Sequence, residues 1–265
     1  MIQFEAIQSG SSGNSILVRD EETCVLVDAG ISCRRMTEAL CDIGIDPCSL
    51  SGIFITHEHI DHVAGLPLLS TKYGIPVYMS EGTFRRFERS SKDPDGLLKP
   101  YFRPVRAGDR VTVGSFSVRP FRTFHDASEP LAFRFESGET SFAVFTDSGS
   151  YTDETVEMLS GLDGALLESN HDIRMLEVGP YPYELKRRIL SDFGHLSNDA
   201  CADLIRRIWS PKLKLLLLGH LSENNNYPDI ARVTMENRLN EMGVLGQVDL
   251  HVAERGVRTQ MFTLE

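Results

Sequence analysis

The sequence has 265 residues, 41% of them hydrophobic, which is enough apolar material for one large domain with a full core and for two at most. A formal net charge of −11 excludes a nonspecific coat for DNA or RNA, which would be basic, but not an enzyme acting on them, because bound divalent ions bring positive charge into a site. Five cysteines without a C-x-x-C pair read as reduced thiols, the opening M-I-Q-F-E-A-I lacks the basic and apolar regions of a signal peptide, and the apolar run around Leu215 to Leu218 is too short to cross a bilayer, so a cytoplasmic protein without membrane contact is expected.

In chain order, strands are predicted over Ile2 to Ile7, Ser15 to Val18 and Cys24 to Val27, the last running into Asp28-Ala-Gly. Ser32 is a candidate N-cap for a helix from Cys33 to Ile43, with Met36, Ala39, Leu40 and Ile43 on its apolar side and Gly44 as its stop. An apolar strand then leads to His57, and a helix is predicted from Asp61 to Tyr73, ended by Gly74. A short strand at Ile75 to Met79 and a basic-faced helix at Glu81 to Arg89 follow. Ser90 to Pro100 is the most loop-like stretch. Hairpin strands are predicted over Val111 to Val113, Phe116 to Pro120, Leu131 to Phe135 and Ser141 to Phe145. Helices and strands then alternate: helix Asp153 to Leu159, strand Ala165 to Glu168, helices Pro182 to Phe193 and Asn198 to Trp209, strand Leu213 to Leu218, and helix Pro228 to Met242. Two late strands close the chain, near Val248 to Val252 and Thr259 to Thr263. This order predicts one domain over 1–265, of the α/β class, with two sheets facing each other and helices outside.

The run Phe54 to His62, F-I-T-H-E-H-I-D-H, ends a buried strand with three histidines and an aspartate. Side chains of an extended segment alternate, so His57 and His59 point the same way and can grip one ion, while Asp61 and His62 fall in the turn beyond and suit a second. His125, Asp147 and His220 each follow an apolar strand in the same manner.

The order Asp28, His57-x-His59-x-Asp61-His62, His125, Asp147, His220 resembles the metallo-β-lactamase superfamily over nearly the whole chain. That resemblance implies an αββα sandwich with two divalent metals on one edge. His57, His59 and His125 would hold the first metal and Asp61, His62 and His220 the second, Asp147 would bridge them, and Asp28 would brace the ligand loop. The segments G-S-S-G-N-S at Gly10, E-S-N-H-D at Glu168 and the run Gly179 to Asn198 are similar to the YycJ (WalJ) group of bacterial exonuclease-like proteins, which implies 5′-to-3′ cleavage of DNA by a metal-bridging hydroxide. Asp147 stands where the two-zinc β-lactam hydrolases generally carry cysteine, so β-lactams are disfavoured as substrates. Zinc, manganese and iron all remain open. A thioester hydrolase of the glyoxalase II kind, or a hydrolase of a small cyclic phosphodiester, is the alternative.

Asp61 and His195 are the candidates for the chemistry itself. By the same resemblance His195, in G-H-L-S, would donate a proton to the leaving oxygen or contact the phosphate, and His171 would support the site loops. His251 reads as structural. Ser11, Ser12, Gly13 and Asn14 offer small residues and backbone N–H groups suited to a phosphate, although a hairpin turn explains them equally. The runs Arg85-Arg86 with Arg89 and Lys92, and Lys186-Arg187-Arg188, are candidates for steering DNA toward the metals.

Overall fold

The computed structural model describes residues 1–90, 93 and 96–265. The first half contains β1 (Ile2–Gln8), β2 (Ser15–Arg19), β3 (Cys24–Val27), α1 (Cys33–Asp42), β4 (Gly52–Phe54), α2 (Ile60–Val63), α3 (Leu66–Tyr73), β5 (Val77–Met79), α4 (Glu81–Glu88) and β6 (Phe102–Pro104). Next come β7 (Val111–Val113), β8 (Phe116–Arg122), β9 (Leu131–Ser137), β10 (Thr140–Phe145), α5 (Asp153–Leu159), β11 (Gly164–Glu168), α6 (Ile173–Val178) and α7 (Tyr183–Ile189). The chain closes with α8 (Asn198–Ile208), β12 (Leu215–Gly219), α9 (Pro228–Glu241), β13 (Asp249–Val252) and β14 (Phe262–Leu264).

Among the described residues these strands form two seven-stranded mixed sheets, ordered β14-β1-β2-β3-β4-β5-β6 and β13-β12-β11-β10-β9-β8-β7. Alternation along the strands builds the layers. Phe142 and Val144 of β10, with Leu215 and Leu217 of β12, face Phe4, Val25 and Phe54 of the other sheet. Their neighbours Ala143, Phe145, Leu216 and Leu218 face outward onto α5, α8 and α9, while Leu26 and Ile53 face α1 and α3. Strands buried on both sides read as unbroken apolar runs, and three core layers between four structural layers give the αββα sandwich. Phe4 stacks on Phe142 with ring centroids 4.0 Å apart and Phe54 meets Phe135 edge-on at 5.5 Å, each such pair contributing about 0.5–1.5 kcal/mol beyond its burial.

Several elements differ from expectation, β6 among them, for which no strand is predicted. The helix expected over Asp61 to Tyr73 is two, α2 and α3, because Gly65 runs against the loop after β3. Its N–H donates to Ala29 O at 2.9 Å, and a Cβ there would sit 2.1 Å from Ile31 O. Pro67, without an N–H, then opens α3. The helix expected to reach Phe193 stops at Ile189, where the chain turns back so tightly that a Cβ on Gly194 would lie 2.1 Å from Ile189 O. The short α6, capped by Asp172 Oδ1 accepting from Met175 N at 2.8 Å, has no counterpart among the predicted elements.

Candidate metal centre

Strands β3 and β4 are parallel, as are β10, β11 and β12, so their C-terminal ends open on one edge of the sandwich. An edge of this kind is where open α/β sheets place ligands. Asp28 follows β3, Asp147 follows β10 and His220 follows β12, and these are the three non-glycine residues with positive φ among those described, at 64°, 56° and 56°. A left-handed backbone costs such residues on the order of 1–3 kcal/mol and persists only where the surroundings impose it. Here each of the three turns carries a residue of the cluster or its support.

Four groups of side chains offer donor atoms within 4.8 Å of one another: His57, His59 and His125; Asp61, His62 and His220; His57, His62 and Asp147; and Asp147, Glu168, His195 and His220. Asp147 lies between the first two. Its Oδ2 is 3.5 Å from His62 Nε2, and its Oδ1 is 3.5 Å from His220 Nε2 and 3.8 Å from His125 Nε2. His57 Nε2, His220 Nε2 and Asp147 Oδ2 are buried without a hydrogen-bond partner. Unpaired buried polar atoms are costly, and three converging on one spot fit a donor set built around divalent cations.

The outer nitrogens of these rings are held. His62 Nδ1 meets Asp28 Oδ2 at 2.7 Å, His125 Nδ1 meets Gly194 O at 3.0 Å, and His220 Nδ1 meets Glu168 Oε1 at 3.0 Å. In each case this leaves Nε2 to face inward. Asp28 is itself held by the N–H and hydroxyl of Thr56, each at 2.9 Å, so it braces His62 from behind. Burial pushes His57 well below the ordinary histidine range, and the neighbouring histidines push the same way. For His62 and His220 burial is outweighed by carboxylates. Asp147, Asp28 and Asp61 hold His62 well above that range, and Asp147 and Glu168 lift His220 to about 9. Burial opposes the ionised form of Asp61, yet His62 and His220 keep its pKa below the usual carboxylate range. At His62 and His220 the carboxylates therefore favour a bound proton, which a metal must displace.

Glu168 carries no assigned role in the sequence reading. Fully buried at the end of β11, it accepts from His195 Nδ1 at 2.7 Å, His220 Nδ1 at 3.0 Å, Ser148 N at 2.9 Å and Leu196 N at 3.3 Å. The signal was present, since a carboxylate following G-A-L-L is a ligand-type residue ending an apolar strand, as His125, Asp147 and His220 are. His195 lies between α7 and α8 and lines a cavity of about 270 Å³ together with His59, Asp61, His125, Asp147 and His220. His171 is buried, bridges to Ser197 and has neither ring nitrogen hydrogen-bonded. Burial lowers its pKa to about 4.

Of the glycine-rich turn, Ser11 borders the cavity. Gly13 N and Asn14 N are not free for a phosphate, donating to Gly10 O at 3.0 Å and Asp61 O at 2.7 Å, and Ser12 Oγ accepts from Gln8. Asn14 instead braces the cluster, its Nδ2 3.1 Å from His62 Nε2. The basic run on α7 is split by the helical turn. Arg188 lines the cavity and pairs with Asp126, whereas Lys186 caps Glu177 O and Arg187 lies over the exposed Tyr183 ring. Arg86 and Arg89, with His59 and Asp126, line a second cavity of about 350 Å³ on the other side of His59. Lys92 lies outside the described residues. His251 sits on β13 beside Phe262, apart from the centre. No helix among the described residues is long and apolar enough to cross a membrane.

Comparison with known proteins agrees with this geometry. The chain is 38% identical over 252 residues to the exodeoxyribonuclease WalJ of Streptococcus pneumoniae (serotype 2, strain D39), covering 94% of this chain and 93% of that one. It is 38% identical over 245 residues to the exodeoxyribonuclease YycJ of Bacillus anthracis, covering 91% and 90%. The crystal structure of the metallo-beta-lactamase fold protein YhfI from Bacillus subtilis superposes with a TM-score of 0.70 over 98% of this chain and 100% of that one, at 17% identity, a likeness of fold. Residues 9–220, which carry every residue of the donor cluster, match the profile of one family, and the chain belongs to that family, the metallo-beta-lactamase superfamily.

Proposed function

We propose that this protein is a dinuclear metal-dependent phosphodiesterase that removes nucleotides from DNA in the 5′-to-3′ direction. The observation that carries the reading is the pair of donor triads with Asp147 between them, where three buried ligand-type atoms have no hydrogen-bond partner. The names of the relatives, both exodeoxyribonucleases, support DNA as the substrate. In this reading His57, His59 and His125 would hold one ion, Asp61, His62 and His220 the other, with Asp147 available to both. The imidazole and carboxylate donors suit zinc, manganese or iron. When bound, two such ions supply a nucleophile at neutral pH and neutralise charge on the phosphodiester.

The chain's own groups do the rest. Asp147 and Asp61 would help fix where the ions sit, and Asp28 holds the His62 ring. Glu168 accepts the Nδ1–H of His195, which leaves Nε2 as the nitrogen able to give a proton to the departing oxygen. The basic groups Arg188, Arg86 and Arg89 border the two cavities and offset the net acidity where DNA must approach. Donors come from both sheets, which supports treating 1–265 as one domain, and five unpaired thiols support a cytoplasmic setting.

The test is a panel of 5′-labelled DNA, bis-4-nitrophenyl phosphate and lactoylglutathione, each with manganese or zinc. Stepwise shortening of DNA from its 5′ end is expected. Intact DNA beside rapid thioester hydrolysis would overturn the reading in favour of a glyoxalase II-like enzyme.

A further inference from the structure

The cavity at the metal centre has two walls of different character. One is the donor cluster. The other is Tyr181, from the segment entering α7, with Leu185 and Ile189 one turn apart on α7 and Arg188 beside them. This second wall is fixed in place. The Tyr181 hydroxyl accepts from Asn224 Nδ2 at 3.1 Å, and the backbone leading to it is pressed against Asn225, where a Cβ on Gly179 would lie 2.5 Å from Oδ1. Beyond α7, Gly194 packs onto the Ile189 carbonyl.

A phosphate held by the donor cluster has no use for an apolar wall, whereas a base joined to that phosphate through its sugar does. At about 270 Å³ the cavity lies just below the roughly 300–1,000 Å³ usual for small-ligand sites, which is room for one nucleotide and not for a base pair. A base still in a duplex has its faces stacked and its edge paired, so only an unpaired one can lie against Tyr181 and Leu185. Asn170 Nδ2, the side-chain amide on the lining, is already given to His220 O at 2.8 Å, so it is not free to read the edge of a base.

We propose that Tyr181, Leu185 and Ile189 form a subsite for the unpaired base next to the scissile phosphate, so that the strand is taken one frayed nucleotide at a time. The proposal rests on the phosphodiesterase reading above, and its test separates the two. The manganese-loaded full chain is given methyl 4-nitrophenyl phosphate and the 3′- and 5′-(4-nitrophenyl phosphate) esters of thymidine, which share a leaving group and differ in carrying a base. At least one thymidine ester is expected to have a kcat/KM on the order of 10- to 100-fold above the methyl ester, the scale of stacking one base, with the gain in KM. Leu185→Ala and Tyr181→Ala should bring that ratio toward one, and Leu185→Met should keep it. The ratio is taken within one preparation, so partial unfolding of a variant does not alter it. DNA with a mismatched end should be shortened faster than the same DNA with its terminal pair covalently cross-linked. Equal kcat/KM for all three esters in the unmodified protein, or a ratio untouched by both alanine variants, overturns the subsite and leaves the phosphodiesterase standing. Failure to hydrolyse any ester overturns both.

Discussion

Comparing Glu168→Gln with His195→Ala separates proton donation from metal holding. The carboxylate accepts four hydrogen bonds, two from histidine Nδ1 atoms at 2.7 and 3.0 Å and two from the N–H groups of Ser148 and Leu196 at 2.9 and 3.3 Å. Glutamine keeps the shape but turns one oxygen into an NH₂, so at least one donor meets a donor. A hydrogen bond to a charged group is worth about 1.5–3 kcal/mol, which converts to roughly 10- to 150-fold in rate if it positions His195. Glu168→Gln should therefore slow DNA cleavage by about 10- to 100-fold, and His195→Ala by about 10²- to 10⁴-fold, the scale of general acid catalysis. On bis-4-nitrophenyl phosphate, whose leaving phenolate needs no proton, both losses should shrink below about tenfold. Metal analysis should find His195→Ala still holding two ions, and Glu168→Gln holding the ion on His220 about 10- to 100-fold more weakly, as for other groups behind a ligand. Equal loss on both substrates, or loss of metal from His195→Ala, would refute the assignment and make His195 a ligand.

Reconstituted protein should bind two divalent ions per chain, and Asp61→Ala or His62→Ala should remove metal and activity together. A stoichiometry that never exceeds one, unchanged by Asp147→Ala, would rule out the shared carboxylate. Metal affinity should rise with pH up to about 9, since His220, at about 9, and His62, also raised, must each lose a proton to bind; calorimetry in buffers of different ionisation enthalpy would count the protons released. For the metal-free protein the sign is opposite. A histidine raised from 6.5 to about 9 on folding adds stability that is full below pH 6.5 and lost as pH rises through 9, so urea midpoints should fall across that window. Neutralising Lys186, Arg187 and Arg188 together should weaken DNA binding and flatten its salt slope by about 0.7–0.9 for each phosphate no longer neutralised, with bis-4-nitrophenyl phosphate hydrolysis much less affected; an unaltered slope would place the DNA path along Arg86 and Arg89. Gly30→Ala should cost metal and stability in parallel, because a Cβ there would lie 1.7 Å from Asp61 O, and thermal melting with and without metal would show it.

The parts of this protein that depend on short-range periodicity are legible in the sequence. Runs such as Leu215 to Leu218 read as short strands buried on both faces, and polar residues at their C-terminal ends would meet if those strands ran side by side. For that reason His57, His59, Asp61, His62, His125, Asp147 and His220 could be named from the sequence, as could the two facing sheets. Strand order was left to the tertiary structure, because it joins residues far apart in the chain. Glu168 reaches both His195 and His220 only because β11 lies in parallel register between β10 and β12, with Glu168 opposite Gly219. The fate of Lys186, Arg187 and Arg188 was likewise decided by how α7 is rotated against the cavity, since each step along a helix turns about 100° and parts residues that are adjacent in the chain. The amides of Gly13 and Asn14 look free in a linear reading and are bound in the fold, Gly13 N within its own turn to Gly10 O, and Asn14 N to Asp61 O because that turn packs against the loop that carries Asp61. The Asn14 N–H finds its partner through tertiary packing, which no local pattern encodes.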